Sequence, residues 1–350
     1  MLDYDSLFAY DPFVLSSHEK HTLHTQWLAE LTQYHQSLCV PYKRFVSFFD
    51  LPDNAPPALP VRVFKEFDLK SMSNQDVTRT MTSSGTTSKS VSRIYLDKAT
   101  AARQSKALSI IVSSFIGKQR LPMLIIDSRA VVKDRTMFSA RGAGVLGFSM
   151  LGRDVTYALD EEMHLDIKVF ENFCSKYANE PVLLVGSTSI IWLHFCEELK
   201  KAHSAVKLTG TMIHGGGWKK LENLKINNEM FKRTVKDICG INNIYNYYGM
   251  VEQTGSISME CEYGHLHTSV FSDIDVLDPV TLTSVRGRRG VIKTVSLLPT
   301  SYPGHVLLTE DEGEVLGEDD CPCMRRGIYF AVYGRVKGAE IRGCSDTYER

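Results

Sequence analysis

Short apolar segments alternate with helical patterns along the middle of the chain, and this alternation most constrains the fold. The segments "LPMLIID" (121–127), "PVLLVG" (181–186) and "TMIHG" (211–215) have the length and composition of strands buried on both faces. The stretch after Asp97 instead spaces its apolar residues along one helix face, with Asp97 at the N-cap position. Strands and helices in alternation predict a layered α/β sheet.

The two ends of the chain have other patterns. Residues 1–60 predict a helical lead-in, which the proline-rich "LPDNAPPALPV" ends. From about residue 265, segments such as "GVIKTVSLL" and "IYFAVYGR" are separated by turns and predict a β-rich subdomain. We therefore expect a main domain over 61–335 and a short tail over 336–350.

Composition excludes several classes of function. A net charge of −1 gives no basic surface for nucleic acid. The acidic start "MLDYDSLFAYDP" is unlike a secretion signal, and the longest apolar run, "ALSIIVSSFIG", is far shorter than the roughly 20 residues of a membrane span. Eight cysteines without a secretion signal favour a reducing compartment. These features predict a cytoplasmic protein without a membrane span.

The segment "TSSGTTSK" (82–89) collects small hydroxyl residues around one glycine and ends in a lysine. Both glycines that a P-loop requires are missing, because Ser83 and Ser88 stand in their places. The segment nevertheless has what a phosphate cradle needs: hydroxyl donors, backbone N–H groups and a positive charge. By itself, it fits a polar surface loop equally well.

Four further segments follow in a fixed order: "HGGGWKK" (214–220), "NYYGMVEQTG" (246–255), "LLTEDEGEV" (307–315) and "YGRVKGAEIRGC" (333–344). Together with "TSSGTTSK" they resemble the core motifs of the adenylate-forming superfamily of acyl-activating enzymes. "VRVFKEFDLKS" and "SYPGHVLLTEDEG" make the resemblance closer still to the LuxE-like acyl-protein synthetases. The resemblance implies the large adenylate-forming domain, with layered α/β subdomains and a β-rich C-terminal subdomain.

The resemblance implies a role in ATP and Mg²⁺ binding for each matching residue. Glu252 would hold Mg²⁺, Tyr248 and the adjoining Gly249 would border the adenine, and Asp311 would bind the ribose hydroxyls. Arg335 would lie near the ribose or phosphate, and the backbone of Gly215, Gly216 and Gly217 would approach the adenine. The loop would hold the outer phosphates through Ser83, Ser84, Gly85, Thr86, Thr87 and Lys89. Alone, the glycine run would be an ordinary turn, Tyr248 a strand-core residue and Asp311 a solvated turn residue.

The chain departs from the superfamily at several places, and "TED" (309–311) stands where the superfamily has TGD. Ser88 replaces the second loop glycine, and Val251 stands where a threonine is usual. Fifteen residues follow Arg335, so the small C-terminal domain of the superfamily, with its catalytic lysine, is expected to be largely absent. Cys344 matches the cysteine on which LuxE-like proteins carry an acyl group, and a thiolate is a good nucleophile toward an acyl adenylate.

The other cysteines divide into two groups. Cys39, Cys174, Cys196 and Cys239 lie in apolar or helical settings and predict core positions. Cys261 and His267, followed about sixty residues later by Cys321 and Cys323, could instead form a tetrahedral site. The resemblance to related CoA ligases implies a structural Zn²⁺ there, with His267 preferred to His265. An idle set of thiols is the alternative.

The leading hypothesis is an acyl-protein synthetase. It would convert a carboxylic acid, in this family a long-chain fatty acid, to an acyl adenylate and transfer the acyl group to Cys344. A partner protein, acyl reductase-like or a carrier protein, would then accept it. One alternative is a ligase that uses an external thiol of coenzyme A or a carrier protein. The other is a nucleotide-binding subunit without catalytic activity, which Ser88 and the absent lysine would fit.

Overall fold

A computed structural model describes residues 2–49, 56–83, 91–133, 137–202, 206–217, 221, 224 and 226–336, with only the backbone at 137 and 138. These residues fall into two units. The first comprises 2–83, 91–115 and 248–336, and the second comprises 116–247. Within the described ranges, no helix combines the length and the apolar character that crossing a bilayer requires.

The strands of the described residues are β1 Leu59–Pro60, β2 Arg79–Thr82, β3 Arg93–Leu96, β4 Leu121–Ser128, β5 Met137–Ser139, β6 Gly152–Leu159, β7 Val182–Ser187, β8 Gly210–Gly215, β9 Asn243–Tyr248, β10 Ser258–Glu260, β11 Leu266–His267, β12 Ser272–Leu277, β13 Gly290–Ser296, β14 Val306–Glu318 and β15 Ile328–Arg335. The helices are α1 Tyr4–Leu7, α2 Ser17–Leu38, α3 Val40–Val46, α4 Val63–Glu66, α5 Lys98–Ile116, α6 Ala140–Ser149, α7 Ile167–Lys176, α8 Thr188–Ile190, α9 Glu197–Lys201 and α10 Asn228–Cys239. A π-helical turn, Ile191–Cys196, joins α8 to α9, and single 3₁₀ turns cover Asn74–Asp76, Arg129–Val132 and Val251–Gln253.

Local sequence signals set the helix boundaries. The Ser16 hydroxyl and the Glu19 carboxylate cap each other's backbone N–H groups at the start of α2. The predicted cap of α5 is confirmed, because the Asp97 carboxylate accepts from the N–H of Thr100 at 2.6 Å. Helix α10 ends at Gly240, which adopts the left-handed conformation with φ of 82°.

The second unit contains a parallel sheet in the order β6–β4–β7–β8–β9. The strands predicted at 121–127, 181–186 and 211–215 are its central members β4, β7 and β8, so these predictions are confirmed. Their apolar side chains, with those of α7, α8 and α10, form one buried core that includes Phe170, Phe195 and Phe231. In sheets of this order, ligands bind outside the carboxyl ends of the strands, where Gly215 ends β8.

The β-rich part of the first unit is antiparallel, in the order β12–β13–β14–β15–β11–β10, and β1 pairs in parallel with β14. The prediction of a β-rich subdomain from about residue 265 is thus confirmed. The register of β14 and β15 places Asp311 opposite Arg335 and Val315 opposite Phe330. Ile274, Ile292 and Phe330 belong to the core of this sheet.

Buried polar side chains attach helix α2 to the rest of the first unit. Lys20 is 1% exposed and lies 3.0 Å from the Asp273 carboxylate. His24 bonds to the carbonyl of Val270 at 2.9 Å. His35 contacts the Ser71 hydroxyl through Nδ1 at 2.7 Å and the Pro299 carbonyl through Nε2 at 3.3 Å. Because a carbonyl only accepts, Nε2 of His35 carries a proton and donates the second of these bonds.

We expect the acid sensitivity of folding to depend on His35. Burial lowers the pKa of His35 to about 3, so between pH 7 and pH 5 the unfolded chain binds a proton that the folded chain does not. Stability is therefore full above the unfolded-state pKa of about 6.5 and falls below it, by about 2 kcal/mol at pH 5 for this residue. His35→Gln should lose about 2 kcal/mol less than the wild type over this range in denaturant titrations.

His21→Gln is the matched control, because His21 lies on the same helix and is exposed. It should reproduce the wild-type change in unfolding free energy between pH 7 and pH 5. An equal change in His35→Gln would contradict a neutral buried His35.

Candidate functional site

Glu252 lies in the single 3₁₀ turn Val251–Gln253 that follows β9. Its side chain is buried, with 7% of the residue exposed. Burial raises the pKa of Glu252, and hydrogen bonding by Ser92 and by the backbone, followed by the positive charge of Arg335, opposes this increase in part. A buried carboxylate is the hard oxygen ligand that Mg²⁺ prefers, and a bound cation would favour the ionised form. The residue therefore fits the metal role that the sequence implied.

Tyr248, Asp311 and Arg335 form one hydrogen-bonded and charged group in the first unit. The Tyr248 hydroxyl donates to Oδ2 of Asp311 at 2.8 Å, and Arg335 Nε lies 3.5 Å from Oδ1 of the same carboxylate. Burial and the charge of Asp311 raise the pKa of Tyr248 well above its usual value. The Tyr248 ring meets Phe330 edge-on, with ring centres 6.0 Å apart. Tyr248 thus orients Asp311 as well as packing on the sheet.

Glu310 belongs to the same group, and the sequence analysis did not identify it. Arg335 Nη1 donates to Oε2 of Glu310 at 2.7 Å, and Arg62 Nε contacts the other carboxylate oxygen. The backbone N–H of Val336 also bonds to the Glu310 carbonyl at 2.9 Å. Glu310 is the middle residue of "TED", at the position where the superfamily motif has glycine. A glutamate in place of this glycine was the sequence feature that could have identified Glu310.

The glycine run lies in the second unit and its members differ in their surroundings. A Cβ on Gly215 would lie 2.4 Å from the ring of Tyr247, so this glycine is required by packing. Gly216 has a φ of 94°, which favours glycine, and a Cβ on the exposed Gly217 would meet no atom of the described residues within 4 Å. The Thr188 hydroxyl lies 3.1 Å from the Gly215 carbonyl and 2.9 Å from His214 Nδ1. Packing therefore requires glycine at position 215, and backbone conformation favours it at position 216.

Only the first part of the hydroxyl-rich loop is described. Strands β2 and β3 pair with Thr82 opposite Arg93. Beyond Thr82, the Ser83 hydroxyl accepts from the Ser92 N–H at 3.0 Å. Gly249 is exposed and directly follows β9. Other predicted residues lie outside the described ranges, namely Ser84, Gly85, Thr86, Thr87, Lys89 and Cys344.

Four side chains of the first unit converge where the β10–β11 hairpin meets the turn between β14 and β15. The ligand atoms of Cys261, His267, Cys321 and Cys323 all lie within 4.8 Å of one another. Sγ of Cys261 is 3.9 Å from Sγ of Cys321, and Sγ of Cys323 is 3.3 Å from Nε2 of His267. His265 also reaches the cluster, with Nδ1 3.2 Å from Sγ of Cys321. The structure thus brings the four predicted ligands together.

The cluster fits a tetrahedral metal. Zinc–sulfur bonds of about 2.3 Å place two sulfur ligands about 3.8 Å apart, close to the separation of Cys261 and Cys321. Burial raises the thiol pKa of Cys261 and of Cys321, so ionising these thiols costs free energy. A bound cation would offset this cost. The buried Nδ1 of His267 has no hydrogen-bond partner among the described residues. By contrast, Cys39, Cys174, Cys196 and Cys239 are buried away from the cluster, as predicted.

Comparisons with known proteins identify the family and the fold of the chain. The sequence model of the LuxE acyl-protein synthetase family matches residues 2–350. The long-chain-fatty-acid–luciferin-component ligase of Aliivibrio fischeri is 22% identical over 357 residues, which cover 97% of this chain and 92% of the relative.

Solved structures of 2-hydroxyisobutyryl-CoA ligase are similar in fold. The open conformation with 2-HIB-AMP and CoA has a TM-score of 0.70 and 14% identity, over 98% of this chain and 81% of that one. The thioesterification state also has a TM-score of 0.70, with 16% identity over 97% and 73%. The predicted adenylate-forming α/β fold is confirmed. With the family match over nearly its whole length, the chain belongs to the LuxE family of acyl-protein synthetases.

Proposed function

We propose that this chain is an ATP- and Mg²⁺-dependent acyl-protein synthetase. The observation that carries the proposal is the group formed by Tyr248, Asp311 and Arg335, with the buried Glu252 in the same unit of a LuxE-family chain. Asp311 has a carboxylate already oriented to accept hydrogen bonds from a ribose, and the guanidinium of Arg335 suits an anionic nucleotide. The substrate would be a long-chain fatty acid, as the name of the Aliivibrio relative suggests.

The first step joins the fatty acid to the nucleotide. A carboxylate oxygen of the acid attacks the α-phosphorus of ATP, the bond to the bridging oxygen breaks, and pyrophosphate leaves. Bound Mg²⁺, with Glu252 as its ligand, would neutralise phosphate charge. The chain's own part is positioning: Asp311 would hold the ribose, and Arg335 in the same unit would lie near the ribose or phosphate. Preorganised polar and charged groups of this kind stabilise charge without reorganising during the reaction.

The second step places the acyl group on the protein. The Cys344 thiolate attacks the acyl carbonyl carbon, AMP leaves with the electron pair of the broken carbon–oxygen bond, and a thioester remains. A partner protein, such as an acyl reductase or a carrier protein, would then take the acyl group by a further thiol exchange.

The described cysteines are all unpaired, which supports a reducing, cytoplasmic location.

Intact-protein mass spectrometry tests the self-acylation directly. After incubation with Mg²⁺, ATP and a mixture of fatty acids, the wild type should gain the mass of one acyl group, and hydroxylamine should remove it. Cys344→Ser should gain no such mass, because a serine hydroxyl is a much weaker nucleophile than a thiolate. The mass added identifies the preferred chain length.

Cys39→Ser is the matched control, since Cys39 is a buried thiol of the first unit; it should acylate like the wild type. If neither the wild type nor Cys344→Ser is acylated but both form acyl-CoA when coenzyme A is added, the external-thiol ligase would replace this proposal.

We also infer that Cys261, His267, Cys321 and Cys323 hold a structural Zn²⁺. Such a site would tie the β10–β11 hairpin to the turn between β14 and β15, because each contributes two ligands. Zinc has no redox chemistry of its own, and a closed set of four protein ligands leaves no open position for catalysis. Its role would be to stabilise the sheet that carries Asp311 and Arg335.

Metal analysis of the purified chain should find close to one zinc per molecule. Cys321→Ser should lose most of this zinc and unfold at a lower temperature, because structural zinc contributes directly to folding free energy. Cys39→Ser should keep the zinc content of the wild type, and a zinc chelator should lower its unfolding temperature by as much as it lowers that of the wild type. Equal unfolding temperatures with and without a zinc chelator would contradict the proposed site.

A further inference from the structure

The sequence "SYPGH" (301–305), singled out in the sequence analysis, has so far no role. It connects β13 to β14 in the first unit. Ser301, Tyr302 and His305 are each 0% exposed. Connections between strands normally lie at the surface, so a connection buried to this extent needs partners for its polar groups.

The partners of this segment include the turn that carries Glu252. The Tyr302 hydroxyl donates to the backbone carbonyl of Glu252 at 2.9 Å. In return, Nε2 of Gln253 donates to the carbonyl of Gly304 at 2.8 Å. Gln104 completes the arrangement. Its Nε2 donates to the Tyr302 hydroxyl oxygen at 3.3 Å, so the proton of that hydroxyl is available for the bond to the Glu252 carbonyl.

The two segments approach too closely for any residue but glycine at position 304. A Cβ there would lie 2.9 Å from the Glu252 carbonyl oxygen and 2.2 Å from the Tyr302 ring. On its other side the segment is anchored firmly. The Ser301 hydroxyl donates to the carbonyl of Tyr95 at 2.9 Å, and the Ser301 N–H donates to the Thr100 hydroxyl at 3.2 Å.

Few bonds hold the Glu252 turn from within. It is one 3₁₀ turn, Val251–Gln253, without a side-chain bond at its N-cap, and the Thr254 hydroxyl donates to the Val251 carbonyl at 3.0 Å. Short 3₁₀ turns have poorer hydrogen-bond geometry than α-helices. The bonds from Tyr302 and Gln253 therefore supply the external constraint, and both connect to a buried segment that is itself anchored at Ser301.

We propose that Tyr302 is a positioning residue for Glu252. Through its hydroxyl, Tyr302 holds the backbone of the metal-binding turn in place. The proposal rests on the proposed function in one respect, namely that Glu252 is a metal ligand. Tyr302 would not touch the substrate, the nucleotide or the metal. Its contribution is to keep the carboxylate preorganised, so that binding of the cation does not have to order the turn.

Tyr302→Phe removes the hydroxyl and keeps the ring. We expect backbone amides of residues 250–256 to exchange with deuterium about two- to tenfold faster in the metal-free and nucleotide-free protein, the range for loss of one hydrogen bond. With ATP present, Mn²⁺ binding followed by electron paramagnetic resonance should weaken by about the same factor. Gln104→Met should shift both readouts in the same direction, and it replaces Tyr302→Phe if that variant does not fold.

Tyr4→Phe is the matched control. Its hydroxyl also donates to a backbone carbonyl, that of Leu297, at 3.0 Å and in the same unit. It should leave both readouts at wild-type values. Wild-type exchange and wild-type Mn²⁺ affinity in Tyr302→Phe would overturn the proposal.

Glu252→Gln separates this proposal from the one on which it rests. If Glu252→Gln weakens Mn²⁺ binding and Tyr302→Phe does not, the positioning role is overturned and the assignment of Glu252 stands. If Glu252→Gln leaves Mn²⁺ binding unchanged, metal binding by Glu252 is overturned. Faster deuterium exchange in Tyr302→Phe would then support only the claim that the Tyr302 hydroxyl holds the backbone of the turn.

Discussion

The pairing of β14 with β15 is the interaction on which the functional features of the first unit depend. Its register places Asp311 opposite Arg335 at one end and holds Val315 opposite Phe330 in the core. The connection between the strands carries Cys321 and Cys323. Side chains alternate between the faces of a strand, so a slip of one residue would turn Val315 out of the core and separate Asp311 from its partners.

Local patterns made much of the fold predictable. Buried strands such as β4 and β7 stand out because a run of apolar residues is continuous in sequence, and helix α5 because its cap and its periodicity are both local. The hydroxyl-rich loop has no comparable periodicity, and its central residues were assigned from resemblance alone. The same holds for Cys344. These assignments remain predictions, since the residues lie outside the described ranges.

The unpredicted features come from contacts between residues far apart in sequence. Tyr302 and Glu252 are fifty positions apart, and nothing in either segment specifies the hydrogen bond between them. Glu310 reaches Arg62 and Arg335 across three segments. At Gly215, the ring of Tyr247 occupies the space where a Cβ would lie, a contact that the glycine run itself does not indicate. Partner choice of this kind depends on how strands and helices pack, which periodicity does not encode.

The two proposed chemical steps, nucleotide activation and acyl transfer, need fixed geometry to different degrees. Nucleotide activation is assigned to residues on or beside strands, where Tyr248 holds the Asp311 carboxylate and the buried Tyr302 holds the backbone of Glu252. Acyl transfer is assigned to a cysteine that comes after the last strand. Fixed geometry suits the attack of a weak carboxylate nucleophile on a phosphate, because positioning provides most of the catalysis. A thiolate is a stronger nucleophile and depends less on such positioning.

Exchange of labelled pyrophosphate into ATP tests the central claim, acyl adenylate formation, most directly. The wild type should incorporate label only when a fatty acid and Mg²⁺ are both present, and Cys344→Ser should do so as well, because exchange precedes acyl transfer. A protein that binds ATP but exchanges no pyrophosphate with any fatty acid supplied would contradict the account and leave the fold with a nucleotide-binding role alone.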